Sequence, residues 1–268
     1  RKSLKELNLL DKFLFDEAMD DPENVKTMLD IILSQNTNLK HPPQTEKEQR
    51  TSTDNRQIRL DVYAIDEDDV IYEVEAQKEN THNLPKRSRL YQGIIDSKLL
   101  PPGVVDFNLL NEVLIVLIMP FDLFGYGLYR YTFQMKCEEV PELKLDDGAT
   151  RIFLNTRGKH PELVSPELIE LLKYMEHSTD EISEACESKR IQEMHRRVCQ
   201  IKASEKAEVK YMQTWEEKIL IKQEGERIGL ERINRLNQKL IEQGRFDDLT
   251  KATSDSSYQE KLLKEFKI

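Results

Sequence analysis

The sequence contains little cysteine. Its three cysteines, Cys137, Cys186 and Cys199, form no C-x-x-C pair and have no histidine at zinc-finger spacing. The five histidines are scattered and form no ligand spacing of their own. We therefore expect neither a disulfide framework nor a structural zinc site, and we predict a reduced, cytoplasmic protein.

Long apolar runs and an excess of basic charge are also missing. The best apolar run, Val113–Met119, is far shorter than the roughly 20 residues of a membrane span, and the first residues hold no signal-peptide core. With 50 acidic and 40 basic residues, the formal net charge is −10. Such a chain is unlike a general nucleic-acid binder, which needs clustered Lys and Arg. A nuclease remains open, because it needs only a local basic groove beside an acidic metal site.

The most informative segment present is RLDVYAIDEDDVIYEVEAQ, residues 59–77. Two antiparallel strands with a turn at 67–69 would pair residues whose numbers sum to 136, so that Asp61 lies opposite Glu75. Side chains alternate along a strand, and Asp61, Glu73, Glu75 and Gln77 therefore share one face. This face is either a Mg²⁺ or Mn²⁺ site, because clustered carboxylates suit these ions, or the solvated face of an edge hairpin.

The pattern on either side of this hairpin predicts a mixed sheet within residues 44–156. The polar residues 45–57 offer an edge strand, and the apolar run at 111–120 is typical of a buried central strand. Residues 85–100 predict a helix packed on one face of the sheet.

The carboxyl-terminal part predicts helices only. Residues 181–242 are highly charged and carry a sparse apolar stripe. Gly225 and Gly229 disfavour a single rigid helix over this region. We interpret this region as a structural or oligomerising arm. The predicted domains are residues 1–178 and residues 179–268.

Five segments of the chain resemble a known family. In order they are DVYAIDEDDVIYEVEAQ, NLPKRSRLYQGIIDSKLLPPG, LIMPFDLFGYGLYRYTFQ, DDGATRIFLNTRG and VSPEL. Together they resemble the PD-(D/E)XK nuclease family transposases, the Rpn-type recombination-promoting nuclease/putative transposase proteins of bacteria, over roughly residues 5–245. The resemblance implies an α/β, restriction-endonuclease-like fold with a central mixed sheet flanked by helices, followed here by a long helical C-terminal arm.

The resemblance also implies a catalytic site. The family aspartate falls on Asp61, the glutamate of the E-x-K element on Glu75, and the lysine position on Gln77. Asp61 and Glu75 would hold Mg²⁺ (or Mn²⁺) for phosphodiester hydrolysis. Gln77 departs from the superfamily pattern, since it carries no charge and can only hold a water by hydrogen bonds.

Four residues are expected to support this site: Glu73, Arg87, Tyr91 and Gln92. Glu73 is either a further carboxylate of the site or a solvated strand residue. Arg87 and Tyr91 lie four residues apart on one helix face, where they can contact phosphate or orient the carboxylates; the alternative for Tyr91 is a core position. Arg87 or Lys86 would supply the missing cation, because Lys78 points to the opposite face.

The sequence thus predicts a magnesium-dependent DNA endonuclease, a hydrolase linked to recombination or transposition. Its expected partner is DNA, with no membrane partner, and the helical arm offers a surface for homo-oligomer formation. The alternative is a catalytically weak or inactive nuclease-fold protein that serves as a DNA-binding or protein-interaction scaffold. A third interpretation is a helical regulator without a nucleic-acid partner.

Overall fold

The computed structural model describes residues 2–49 and 58–268. Within these ranges the chain forms one six-stranded sheet and nine α-helices. The strands are β1 (Gln44–Gln49), β2 (Ile58–Ile65), β3 (Ile71–Ala76), β4 (Val113–Met119), β5 (Arg130–Phe133) and β6 (Ala149–Asn155). The helices are α1 (Lys12–Met19), α2 (Pro22–Leu33), α3 (Leu84–Asp96), α4 (Pro166–Glu176), α5 (Asp180–Ala185), α6 (Lys189–Lys202), α7 (Glu205–Glu242), α8 (Phe246–Ser254) and α9 (Ser256–Glu265).

The sheet is mixed, as predicted. Its strand order is β1-β2-β3-β4-β6-β5. Strands β1, β2 and β3 are antiparallel, β3, β4 and β6 are parallel, and β5 returns antiparallel to β6. Strand β1 forms the predicted polar edge, while residues 50–57 of that prediction lie outside the described residues. The apolar strand β4 occupies the middle of the sheet, so its side chains are covered on both faces.

Helix α3 covers one face of the sheet. Pro85 lies in its first turn, where a missing N–H costs nothing. Its Leu84 and Ile95 are buried in the same hydrophobic cluster as Ile115 and Leu117 of β4. Because side chains alternate along strands, this is the face that carries the odd-numbered residues of β3 and β4.

The chain divides into two compact units, Arg1–Ala207 and Glu208–Ile268. Helices α5 and α6, which the sequence assigned to the arm beyond residue 178, pack in the first unit, and α6 contacts α1, α2 and α4. The reason is an apolar face on α6, where Ile191, Met194 and Val198 are fully buried.

The second unit has a small core of its own. It contains Leu236 and Leu240 of α7, Ala252 of α8 and Leu262 of α9. Helix α7 continues unbroken through Gly225 and Gly229. None of the described helices is both long and apolar enough to cross a membrane.

Candidate metal-binding site

Three carboxylates lie on the hairpin formed by β2 and β3. The strands pair with Tyr63 opposite Glu73, which confirms the predicted register. Alternation places Glu73 and Glu75 on the face that α3 covers, and the charge of Asp61 acts on both of them. These residues are 6%, 0% and 8% exposed, so the alternative of a solvated hairpin face is wrong. We call these three residues the carboxylate cluster.

Cations from two helices pair with two members of the carboxylate cluster. From α1, the Lys12 ammonium nitrogen Nζ lies 2.6 Å from Asp61 Oδ1. From α3, Arg87 Nη2 donates to Glu75 Oε1 at 2.5 Å. Among the described residues, neither oxygen of Glu73 has a hydrogen-bond partner, and Glu75 Oε2 has none either. Buried carboxylate oxygens without partners are costly, so these atoms suit a bound cation or a proton.

Burial raises the pKa values of this region. Loss of solvation raises the pKa of Glu73 well above its usual range, and the charges of Glu75 and Asp61 add to the shift. Burial also raises the pKa of Glu75 to about 7, although the Arg87 guanidinium opposes the change. On α1, burial raises the pKa of Asp16 to about 7. Neither water nor the neighbouring cations therefore fully compensate the negative charge of these carboxylates.

The charges around the carboxylate cluster do not balance. Lys12 contacts the Asp16 carboxylate at 3.1 Å as well as Asp61. Glu46 lies 3.9 Å from Lys12 and 3.1 Å from Arg59. Three cations, Lys12, Arg59 and Arg87, thus face five carboxylates, which leaves two negative charges when all are ionised. A divalent cation carries the matching charge, and an all-oxygen environment suits Mg²⁺ or Mn²⁺. The charge and the ligand type of these residues fit the metal that the sequence resemblance implies.

Gln77, at the position of the family lysine, binds Arg87. Its Oε1 accepts from Arg87 Nη2 at 2.6 Å, and its Nε2 donates to the backbone oxygen of Glu79 at 2.5 Å. Gln77 therefore positions the guanidinium beside Glu75. Each end of the Gln77 amide has capacity for one more hydrogen bond, so its holding a water stays a prediction. Lys12, which the sequence analysis did not single out, places a lysine ammonium at the cluster from another element.

The other predicted residues lie along α3. Tyr91 is 9% exposed and belongs to the hydrophobic core, and its ring centroid lies 5.9 Å from the Arg87 guanidinium carbon. Burial, and then the charge of Glu75, raise the pKa of its hydroxyl. Gln92 is buried and donates to Asp96 at 2.8 Å. Tyr91 is thus a core residue that also lies beside the carboxylate cluster. Gln92 instead bonds to Asp96, a residue of the same helix α3.

A basic cleft of about 390 Å³ opens beside the same helix. The described residues that line it are Ile58, Arg59, Asn83, Lys86, Arg87, Leu90 and Tyr91. This lining contains three basic residues and no acidic one, in a chain whose net charge is −10. Arg87 belongs both to the cleft and to the ion pair with Glu75. The arrangement matches the local basic groove expected beside an acidic site.

A second group of ligating side chains was missed by the sequence analysis. Within the described ranges, Asp180, His195 and Cys199 form the one set of three whose ligand atoms all lie within 4.8 Å of one another. The carboxylate cluster is thus a buried, charged pocket and not a preassembled ligand set. A usable signal existed, because His195 and Cys199 are four residues apart on a predicted helix and share one face.

Protein-family models, curated proteins and solved structures were all compared with this chain, and none of them matches it.

Proposed function

We propose that this protein is a metal-dependent DNA endonuclease of the PD-(D/E)XK transposase type, which hydrolyses phosphodiester bonds in recombination or transposition. The observation that carries the proposal is the carboxylate cluster, whose Glu73 oxygens have no partner among the described residues and whose surroundings leave two negative charges uncompensated. The basic cleft beside it supports a polyanionic substrate, since phosphate binding requires local positive charge.

In this proposal the carboxylates bind the metal and the basic residues of the cleft bind phosphate. Asp61 and Glu75 would hold Mg²⁺ or Mn²⁺, with Glu73 as a further carboxylate, and the bound ion would polarise the phosphoryl oxygen and acidify a water. Arg59 and Lys86 bind backbone phosphates along the cleft.

Arg87 connects the cleft to the carboxylates. Gln77 and Glu75 hold its Nη2 on the carboxylate side. A guanidinium held in this way stabilises the negative charge that grows on the phosphate during hydrolysis, without reorganising at the moment of reaction. Arg87 therefore does what a lysine at position 77 would otherwise do.

The second candidate function is a scaffold without efficient catalysis. It is favoured by one observation, that Lys12 and Arg87 already pair with the carboxylates that would bind the metal. An ion would have to compete with both ammonium and guanidinium groups. A protein in which it fails to compete would bind DNA through the basic cleft without cutting it.

Plasmid nicking separates these two functions. Supercoiled plasmid is incubated with wild type, Asp61→Asn and Glu75→Gln in Mg²⁺, Mn²⁺ or EDTA, and binding is followed in parallel by gel shift. The matched control is Asp69→Asn, which removes an exposed carboxylate from the turn of the same hairpin. We expect nicking by wild type and by the control in both metals, none in EDTA, and loss in the two cluster variants.

Two outcomes would contradict the endonuclease. Wild type that shifts DNA but never nicks it would establish the scaffold. Equal nicking by wild type and both cluster variants would show that the cleavage does not come from this site. Circular dichroism of each variant confirms that the fold is retained.

A further inference from the structure

A second potential metal site lies on the helices that follow the sheet. Asp180 is the first residue of α5, and Thr179 caps that helix by accepting from the N–H of Ile182. His195 and Cys199 lie one turn apart on α6, which packs against α5. The three side chains, which we call the Asp–His–Cys cluster, come from two helices of the first unit.

The ligand atoms of the Asp–His–Cys cluster form a triangle of suitable size. His195 Nε2 lies 2.8 Å from Asp180 Oδ1 and 3.4 Å from Cys199 Sγ, and Cys199 Sγ lies 3.9 Å from Asp180 Oδ1. A triangle with these sides has a circumradius of about 2.0 Å, so an ion just above its plane lies about 2.0–2.3 Å from all three atoms, the usual range for Zn–N, Zn–O and Zn–S bonds.

The histidine is oriented for ligation by its other nitrogen. His195 Nδ1 is 3.0 Å from the hydroxyl of Tyr174, a fully buried residue, and Nε2 faces Asp180 and Cys199. In metal-binding histidines a hydrogen bond at the second ring nitrogen fixes the tautomer and the ring orientation, and here the Tyr174 hydroxyl lies at that nitrogen.

A nucleophilic Cys–His–Asp relay does not fit the same atoms. In a relay the carboxylate holds one ring nitrogen and the nucleophile faces the other. Here Asp180 and Cys199 share Nε2, while Tyr174 occupies Nδ1. Three ligand atoms converging on one point are the arrangement of a metal site.

We propose that Asp180, His195 and Cys199 bind a zinc ion, with a fourth coordination position open to the adjoining cleft. Sulfur, nitrogen and oxygen together favour zinc over Mg²⁺ or Ca²⁺, which prefer oxygen alone. The cleft, of about 390 Å³, is lined by these residues together with Lys5 and Lys202. The Asp180 side chain is 84% exposed, so the ion and a small anion or water can reach the site from solvent.

Cobalt substitution tests this site on the full-length, chelator-treated protein. Co²⁺ bound to a thiolate gives a near-ultraviolet charge-transfer band that oxygen ligands do not give. We expect one such Co²⁺ per chain, displaced by one equivalent of Zn²⁺. Cys199→Ser should abolish the band and weaken zinc binding at least 100-fold, whereas Cys137→Ser, at a half-buried cysteine outside the cluster, should change neither.

Further variants keep the test decisive. Asp180→Asn alters an exposed side chain and spares the core, so reduced zinc affinity with an unchanged melting temperature supports ligation. The double variant Asp61→Asn, Glu75→Gln should keep the thiolate band, because it removes carboxylates of the other site only. A wild type without the band at excess Co²⁺, or a Cys199→Ser variant that retains it, would overturn the proposal.

Discussion

The carboxylate cluster and the Asp–His–Cys cluster differ in burial, in net charge and in how close together their ligand atoms lie. The carboxylate cluster is buried and carries excess negative charge, with both Glu73 oxygens unpartnered among the described residues. The Asp–His–Cys cluster has its ligand atoms already together, and its Asp180 side chain is largely exposed. The carboxylate cluster thus has excess negative charge, but its ligand atoms do not lie around one point. The ligand atoms of the Asp–His–Cys cluster do, without excess charge.

This difference predicts which ion each cluster binds. An ion that adds its charge to those of Lys12 and Arg87 would bring together the oxygens of Glu73 and Glu75 that have no partner among the described residues, and hard Mg²⁺ or Mn²⁺ match such ligands. The mixed sulfur and nitrogen ligands select zinc and need little rearrangement. The two sites should therefore load independently.

The largest expected effect is that a substitution in either site abolishes the readout of that site and leaves the readout of the other unchanged. Asp61→Asn should lower Mg²⁺-dependent plasmid cleavage about 10³-fold, because the bound ion contributes several kcal/mol of transition-state stabilisation. The same variant should leave the cobalt–thiolate band intact. Cys199→Ser should remove the band and retain cleavage. One substitution that abolished both readouts would show that the two clusters are a single functional unit.

The next effect is a loss of stability with rising pH in EDTA. Unfolded Glu75 releases its proton near pH 4.5, while the folded protein keeps it until about 7. Stability should therefore fall between these pH values, by roughly 3 kcal/mol at most for this residue. Glu75→Gln should flatten the fall in thermal melts, Asp69→Asn should not, and Mg²⁺ should offset it in wild type. A wild type equally stable at pH 5 and pH 7.5 would contradict the shift.

Removing the guanidinium should reduce cleavage without removing the metal ligands. Arg87→Ala should lower the rate about 10²-fold, as expected for one lost charge-stabilising contact. Arg89→Ala is the matched control, because it removes an exposed arginine from the same helix. The initial nicking rate in Mg²⁺ is the measurement. Equal rates for Arg87→Ala and wild type would leave Lys12 as the cation of the site.

The smallest expected effect concerns the support of His195. Tyr174→Phe removes the hydroxyl beside Nδ1 and keeps the buried ring, so zinc affinity should fall about 10-fold. Tyr72→Phe is the control, since it removes a buried hydroxyl that donates to Asp66 in the hairpin. Competition against a colorimetric zinc chelator measures both. An unchanged affinity in Tyr174→Phe would mean that this hydroxyl does not orient the ligand.

Local patterns in the sequence were sufficient for the hairpin and for several element boundaries. Strict alternation and a polar turn determine the β2–β3 register, so Tyr63 faces Glu73 as predicted. The apolar run of β4 marks a central strand. Asp21 and Pro22 begin α2 as their residue types favour, with the Asp21 side chain accepting from the N–H of Glu23. These features depend on residues close together in the chain.

Tertiary packing decided the properties that matter for function. Alternation placed Glu73 and Glu75 on one face, but only the docking of α3 buried that face and raised the pKa of Glu75. Lys12 reaches Asp61 across 49 residues of sequence, and His195 meets Asp180 only where α5 packs on α6. Contacts between distant segments depend on how whole elements pack, and no local periodicity encodes them. Sequence therefore determined which side chains share a face, and the fold determined which are buried, paired or brought together.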